Sequence, residues 1–329
     1  MANNGEFNQN ELANLENLRK SVASKILKVK IFCAVLGCVL AFWLLRSSGD
    51  FGIALFAGGF VAIFVYGLLS SRVKKGFGSE FKDKIITQII ASISPNLAYE
   101  KDEFIEFSEF NKAKIYNDFY DIYNGNDLIY GELDGVEVKF SDIRLSRLVR
   151  NSNRPNQPPS EQKLFYGIFF VADFNKFFSA KVVVLDKKNH FAFCNMKKTK
   201  MDNSEFNDTF ATFCDDEIAA RYILTPNLME KMLYLRKFFG AECDFCFVEN
   251  KIYIYINLGK DSFEADYKVP LIGENSAPQR YHDEIMQFVG IVENLKLNSK
   301  IFKAHLGQNS ANSSENSTQK VQSRAKWRL

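Results

Sequence analysis

The sequence predicts an α+β protein in which an N-terminal transmembrane helical hairpin precedes a cytoplasmic domain with antiparallel sheet and packed helices. Three observations carry this. Two apolar runs, residues 31–45 and 51–69, are separated only by Arg46-Ser47-Ser48-Gly49-Asp50. Beyond residue 128 apolar side chains alternate with a period of two around Asp134-Gly135, the pattern of a β-hairpin with a tight turn. Strand-like and helix-like stretches are then grouped rather than strictly alternating, which favours antiparallel sheet over a doubly wound parallel fold.

The second apolar run has 19 residues without a charge, close to the ~20 that cross a ~30 Å hydrocarbon core as helix. The first has 15. Arg46 can snorkel at its end, and tilt or local thinning makes up the remaining length. Arg19, Lys20, Lys25, Lys28 and Lys30 precede the hairpin and Arg72, Lys74 and Lys75 follow it, whereas the connection holds only Arg46. Both termini are therefore expected in the cytoplasm. About 30 mostly polar residues come before the first run and a second span follows at once, which argues against a cleavable signal peptide.

Residues 1–30 read as an amphipathic helix, with Leu12, Leu15, Leu18, Val22 and Ile26 at three- and four-residue steps. Such a stripe leads into the span, and can pack on the domain, lie on the membrane or pair with another copy. After the hairpin (31–70), residues 71–305 form the expected cytoplasmic domain. Phe81, Ile85, Ile89 and Ile93 predict a helix ending before Pro95. Val136, Val138 and Phe140 alternate with Glu137 and Lys139 in the first hairpin. Residues 151–162 (NSNRPNQPPSEQ) hold three prolines and no large apolar side chain, so a flexible loop is expected. Strands are expected at 164–172, 180–185 and 191–194, followed by a helical stretch with Phe206, Phe210 and Phe213 on one side.

Thr225-Pro226 is the clearest helix start, because Thr225 can cap the first turn while Pro226 supplies a fixed φ where an N–H would be unpaired anyway. Leu228, Met232, Leu235 and Phe239 give that helix an apolar face, and Gly240 can close it in the left-handed conformation. A second hairpin turns at Glu249-Asn250, with Ile252, Ile254 and Ile256 on one face and Tyr253 and Tyr255 on the other. A last helix spans about 282–297. The tail, 306–329, is rich in Asn, Ser and Gln and is expected to be disordered, with Arg324, Lys326, Trp327 and Arg328 able to touch an anionic lipid surface.

Composition excludes more than it selects. A net charge of +3 gives no argument for nucleic acid. Of six cysteines only Cys243 and Cys246 form a C-x-x-C, and in a strand residues three apart point to opposite faces, so neither a redox pair nor a metal site is expected there. The three histidines, His190, His282 and His305, lie far from that pair, and no metal or cofactor site is expected. Phosphate-binding and dinucleotide glycine loops, the G-x-S-x-G elbow and H-E-x-x-H are all missing from the sequence.

The densest polar cluster is Asp215, Asp216 and Glu217 with Arg221 and Tyr222. Carboxylates beside an arginine can do acid–base work or hold a divalent ion. They can equally cap a helix and form an i,i+4 ion pair, which is the simpler expectation. Asp216, Arg221 and Tyr222 are the candidate binding residues. A second cluster, Asp118, Asp121, Asn124, Asn126 and Asp127 around Gly125, lacks the ligand alternation and closing Glu of an EF-hand and is expected to be a turn.

The order of these features resembles a bacterial membrane family, the domain of unknown function 3137. The resemblance rests on the hairpin after a basic segment, on 131–142 (GELDGVEVKFSD), on 166–174 (YGIFFVADF) and above all on 220–228 (ARYILTPNL) after the acidic cluster. It implies a double-spanning protein of the bacterial inner membrane and a LemA-type membrane protein as a partner, and it carries no catalytic residues. The expected function is a non-enzymatic binding or scaffold module for another membrane protein. The alternative is a membrane-surface enzyme, a hydrolase, using the cluster from Asp215 to Arg221.

Overall fold

The computed structural model describes residues 9–116, 120–150, 157–174, 176, 178–264, 266–273 and 276–295. The tail with Arg324, Lys326, Trp327 and Arg328 lies outside them, as do Asp118, Phe119, residues 151–156 of the proline-bearing loop and the side chains of Leu12, Lys74 and Lys75. The chain is α+β, and packing divides it into two units, Met1–Lys101 with Asp261–Phe288 and Asp102–Lys260 with Val289–Leu329.

The first unit is built on two long helices. α1 (Gln9–Ser48) is one uninterrupted helix, so the amphipathic segment and the first apolar run are continuous rather than separate elements. Gly49, at φ 71°, ends it, and Asp50 caps α2 (Phe51–Phe81) by accepting from the Ile53 N–H at 3.1 Å. α2 passes through a π-helical stretch, Lys82–Ile86, into α3 (Thr87–Ile93), which stops before Pro95 as expected. A short strand, β1 (Leu97–Glu100), follows. Among the described residues, two helices are long and apolar enough to cross a membrane.

The seam between α1 and α2 is made of small side chains at four-residue steps, Cys33, Gly37 and Ala41 against Ala54, Gly58 and Ala62. A Cβ on Gly58 would stand 2.5 Å from the Gly37 carbonyl oxygen and 2.8 Å from the Ala41 Cβ, so only hydrogen at this position lets the helices touch. Close backbone approach through small residues is how helices associate where lipid removes the hydrophobic drive. Away from the seam, large apolar side chains from Leu27 to Trp43 and from Phe51 to Leu68 are exposed. At 1.5 Å per residue that belt is about 25 Å tall, near the ~30 Å of a hydrocarbon core.

Beyond the belt both helices continue into a small core of their own. Leu15, Val22 and Ile26 of α1 are buried, as are Phe77, Phe81, Ile85 and Ile89. Residues 261–288 return to this unit, where Tyr281 packs edge-on to Phe81 with centroids 5.1 Å apart. Glu16 accepts from the Leu271 N–H at 3.0 Å and pairs with Arg19 at 2.7 Å, while Arg19 donates to the Tyr267 carbonyl at 2.9 Å. The Arg19 hydrogen bond holds the Glu16 carboxyl below its usual pKa. Lys82, in the π stretch, meets Glu264 at 3.1 Å.

The second unit is a mainly antiparallel sheet. Its strands are β2 (Ile122–Leu133), β3 (Val136–Val149), β4 (Ser160–Asp173), β5 (Val182–Asp186), β6 (Lys197–Thr199), β7 (Phe210–Cys214), β8 (Glu242–Val248) and β9 (Lys251–Asn257). They lie in the order β2-β3-β4-β9-β8-β5-β7-β6, with antiparallel neighbours throughout. Asp134 and Gly135 turn at φ 51° and 81°, and Glu249 and Asn250 at 53° and 58°, as both hairpin readings require. The short helices α4 (Phe107–Phe110), α5 (Ser204–Thr209) and α6 (Glu217–Ile223) precede α7 (Pro226–Phe239) and α8 (Ala277–Asn294). Thr225 caps α7 by accepting from the Leu228 N–H at 3.4 Å, Pro226 opens it, and Gly240 closes it at φ 60°.

The central strands are buried on both faces. Tyr253 and Tyr255 share one face with Phe165, Phe169, Val183 and Cys246, covered by Phe110, Ile115 and Tyr116. Ile252, Ile254 and Ile256 lie opposite Phe247, Phe245 and Cys243 on the other face, against which Phe210 packs edge-on to Phe245 at 5.9 Å and α7 packs. Cys243 and Cys246 therefore point to opposite faces.

Four expectations are corrected. The helix drawn through Phe206, Phe210 and Phe213 ends at Thr209; residues 210–214 form β7 because Phe210, Thr212 and Cys214 alternate inward between β5 and β6. Residues 191–194 contribute only a single bridge, Ala192 to Tyr116, since their backbone lies over the sheet face rather than in it. The last helix starts at Ala277, earlier than residue 282. The second polar cluster is not a turn: Asn124, Gly125, Asn126 and Asp127 sit within β2.

We expect Gly58→Leu to force the helix pair apart and lower the thermal midpoint of the full chain in detergent, overpacking of this kind costing about 1–3 kcal/mol. Gly59→Leu should leave the midpoint unchanged, because nothing stands within 4 Å of a Cβ there.

Candidate functional site

The cluster singled out in the sequence sits where β7 gives way to α6. Asp215 folds back on β5 and accepts the Lys181 N–H through both oxygens, at 3.0 and 3.1 Å. Asp216 is the N-cap of α6, accepting from the Ile218 and Ala219 N–H groups at 2.8 and 3.3 Å. A short polar side chain at this position satisfies amides that the first turn leaves open. Glu217 is held at 2.8 Å by Lys197 of β6 and at 3.6 Å by Arg221, and the Lys197 hydrogen bond is the main reason its carboxyl titrates below the usual range.

Arg221 and Tyr222 are the outward members. Arg221 reaches its own helix through the Glu217 carbonyl at 3.5 Å, and Tyr222 is half exposed. Lys176 donates to the Tyr222 carbonyl at 2.9 Å and stands 4.9 Å above its ring, a cation–π contact. Burial of the ammonium pulls the Lys176 pKa down. Asp216, Arg221 and Tyr222 thus belong to one short helix, but each faces a different task. Ile218, four residues before Tyr222, is 81% exposed, and Tyr234 and Phe238 stack on the outer face of α7 with centroids 5.7 Å apart.

A second group was not recognised in the sequence. Asp186, at the end of β5, is fully buried and forms an ion pair with Arg236 of α7, whose second nitrogen lies 3.3 Å from the other oxygen. Through the adjacent strand Asp244 accepts the Asp186 N–H at 2.8 Å and the Asn189 amide at 2.6 Å, with the Tyr116 hydroxyl at 3.4 Å. Asn189 in turn accepts from the Phe191 and Ala192 N–H groups at 3.1 and 3.2 Å. Burial raises the Asp244 carboxyl to about 7 against the opposing pull of its hydrogen bonds, and drives the Tyr116 hydroxyl well above its ordinary value. The signal was present: an Asp in the middle of ECDFCFV occupies a position where a strand expects an apolar residue. Full burial makes this group a latch on the sheet rather than an open site.

In the other polar cluster Asp121 accepts the Leu148 N–H at 2.5 Å and Asn126 donates to buried Asp127 at 2.9 Å. Gly125 is required there, since a Cβ would lie 2.2 Å from the Asp142 carbonyl oxygen.

Residues 163–297 match the family model described as Protein of unknown function (DUF3137). Over that segment the chain is similar to the DUF3137 family. The DUF3137 match takes in ARYILTPNL, YGIFFVADF, the acidic cluster and the Asp186–Asp244 group, and runs past Phe239 to the end of α8; the stretch 131–142 and the apolar hairpin lie before it. Among solved structures, the crystal structure of the mycobacterial trehalose monomycolate transport factor A, TtfA, is similar at 10% identity and a TM-score of 0.34, over 60% of this chain and 88% of that one. No curated protein matches the chain.

Arg236→Met should destabilise the DUF3137 segment by about 3–5 kcal/mol in chemical denaturation, because it leaves the Asp186 carboxylate buried without a partner. Arg221→Ala should change stability little. Asp244 holds its proton more tightly folded than unfolded, so its favourable contribution is complete below about pH 4 and is lost as pH rises through about 7. The loss is on the order of 4 kcal/mol. Denaturation midpoints taken from pH 4 to pH 8 should show this fall in the parent chain and not in Asp244→Asn.

Proposed function

We propose that this chain is an inner-membrane-anchored, non-enzymatic binding module whose sheet domain lies in the cytoplasm and docks another membrane protein. The observation that carries this is the division of labour on α6: Asp215, Asp216 and Glu217 are engaged in capping and pairing, while Ile218, Arg221 and Tyr222 face solvent. Tyr and Arg beside an exposed aliphatic group are the residue types that dominate protein interfaces. The stacked Tyr234 and Phe238 add a second exposed apolar pair on the next helix. A hydrolase on the same cluster would need a carboxylate free to exchange a proton with substrate, and all three are otherwise engaged. The two apolar helices support the anchor, and the basic residues flanking them support cytoplasmic termini. A LemA-type membrane protein is the partner that the family resemblance suggests.

Affinity capture of the full chain from mild-detergent membranes, with mass spectrometry of what accompanies it, tests the reading. A stoichiometric membrane protein should come down with the parent chain and fall at least tenfold with Arg221→Ala/Tyr222→Ala at unchanged thermal midpoint. A chain captured alone would overturn the proposal.

A further inference from the structure

Helical periodicity sorts α1 into two faces. Val22, Ile26, Cys33 and Gly37 lie on the packed face. On the opposite face, within an arc of about 100°, stand Ser24, Lys25 and Lys28, followed by Phe32, Val35 and Val39. All six are exposed, the three apolar ones by 57–61%. From Ser24 to Val39 the face therefore changes character once, from hydroxyl and ammonium donors to bare hydrocarbon, before the exposed Arg46 closes the same arc at its far end.

The charge at the donor end has no carboxylate near it on either helix. The sequence holds no Asp or Glu between Glu16 and Asp50, nor between Asp50 and Glu80. The exposed Arg72 of α2 adds a further positive charge. From Lys28 to Val39 the helix rises about 16 Å, which is the depth of one leaflet of a ~30 Å hydrocarbon core. A positively charged, hydroxyl-bearing head above one leaflet's length of exposed apolar surface fits one kind of molecule.

We propose that this outward face of α1 is a docking strip for an anionic phospholipid, Ser24, Lys25 and Lys28 receiving the phosphate headgroup and Phe32, Val35 and Val39 lying along an acyl chain. The assignment rests on the membrane-spanning reading of the hairpin. Ammonium groups attract anionic headgroups at the bilayer surface, and a serine hydroxyl donates to phosphate oxygen without adding charge. Phe32 and the two valines present a stiff apolar surface that an acyl chain can cover continuously.

The test uses the full chain in nanodiscs made from equal parts phosphatidylcholine and phosphatidylglycerol, with native mass spectrometry of the lipid retained on release. The parent chain should keep phosphatidylglycerol in preference to phosphatidylcholine. Lys25→Gln/Lys28→Gln should reduce that preference roughly twentyfold, at about fivefold for each basic group. Lys237→Gln, a basic residue of α7, should leave it intact. Equal retention of the two lipids by the parent chain, or a preference that survives the double substitution, would overturn the proposal. Alkaline carbonate extraction separates the two levels of failure: a chain that stays embedded without lipid preference defeats only the docking strip, whereas a chain released from the membrane defeats the anchor and the strip together.

Discussion

Burial of the central strands on both faces is the constraint from which the second unit follows. Ile254 and Tyr255 are adjacent in β9, point to opposite sides, and are both completely buried. A sheet in that condition needs a cover on each side. On the tyrosine side the cover is the segment carrying Phe110 and Tyr116, fixed by the Tyr255 hydroxyl donating to the Phe110 carbonyl at 2.6 Å. On the isoleucine side it includes Phe206, Phe210 and α7. The polar groups that tie these covers down are themselves buried, which is why Asp244 and Asp186 carry so many hydrogen bonds and why Asp244 is reluctant to ionise.

In the first unit the corresponding constraint is steric. Gly37 and Gly58 bring two backbones into contact, and the seam they set fixes which sides of α1 and α2 are left outward. The same helices then run on past the apolar belt without a break, so the small core around Phe81, with the Glu16 and Lys82 ion pairs, is built directly onto the end of the pair. The π stretch at Lys82–Ile86 is where this continuation departs from regular α geometry, and it is there that Lys82 meets Glu264.

Much of this was legible in the sequence because it is local. Asp134-Gly135, Glu249-Asn250, Thr225-Pro226 and Gly240 each act through a few neighbouring residues and stand in the structure as read, and the apolar runs stand as long helices. The opposite facing of Cys243 and Cys246 followed from strand alternation alone. What was missed depends on distant partners. Phe210, Ala211 and Thr212 fit a helix or a strand, and only β5 and β6 on either side decide for the strand. Asp186 and Arg236 are 50 residues apart, and Asp244 meets Asn189 across 55, so no spacing in the sequence announces the group. Of the candidate site, the capping role of Asp216 was readable, while Lys176 and Lys197 came to the cluster through tertiary packing.

The proposed anchoring of the sheet domain to one side of a bilayer by the hairpin is tested most directly by labelling intact cells with a membrane-impermeant maleimide, in a chain whose exposed Cys38 is replaced by Ser. A cysteine placed at Ser47, beside the turn between the apolar helices, should label from outside. One placed at Lys237, on the surface of α7, should label only after the cells are permeabilised. Labelling of both from outside, or of neither until lysis, would contradict the account.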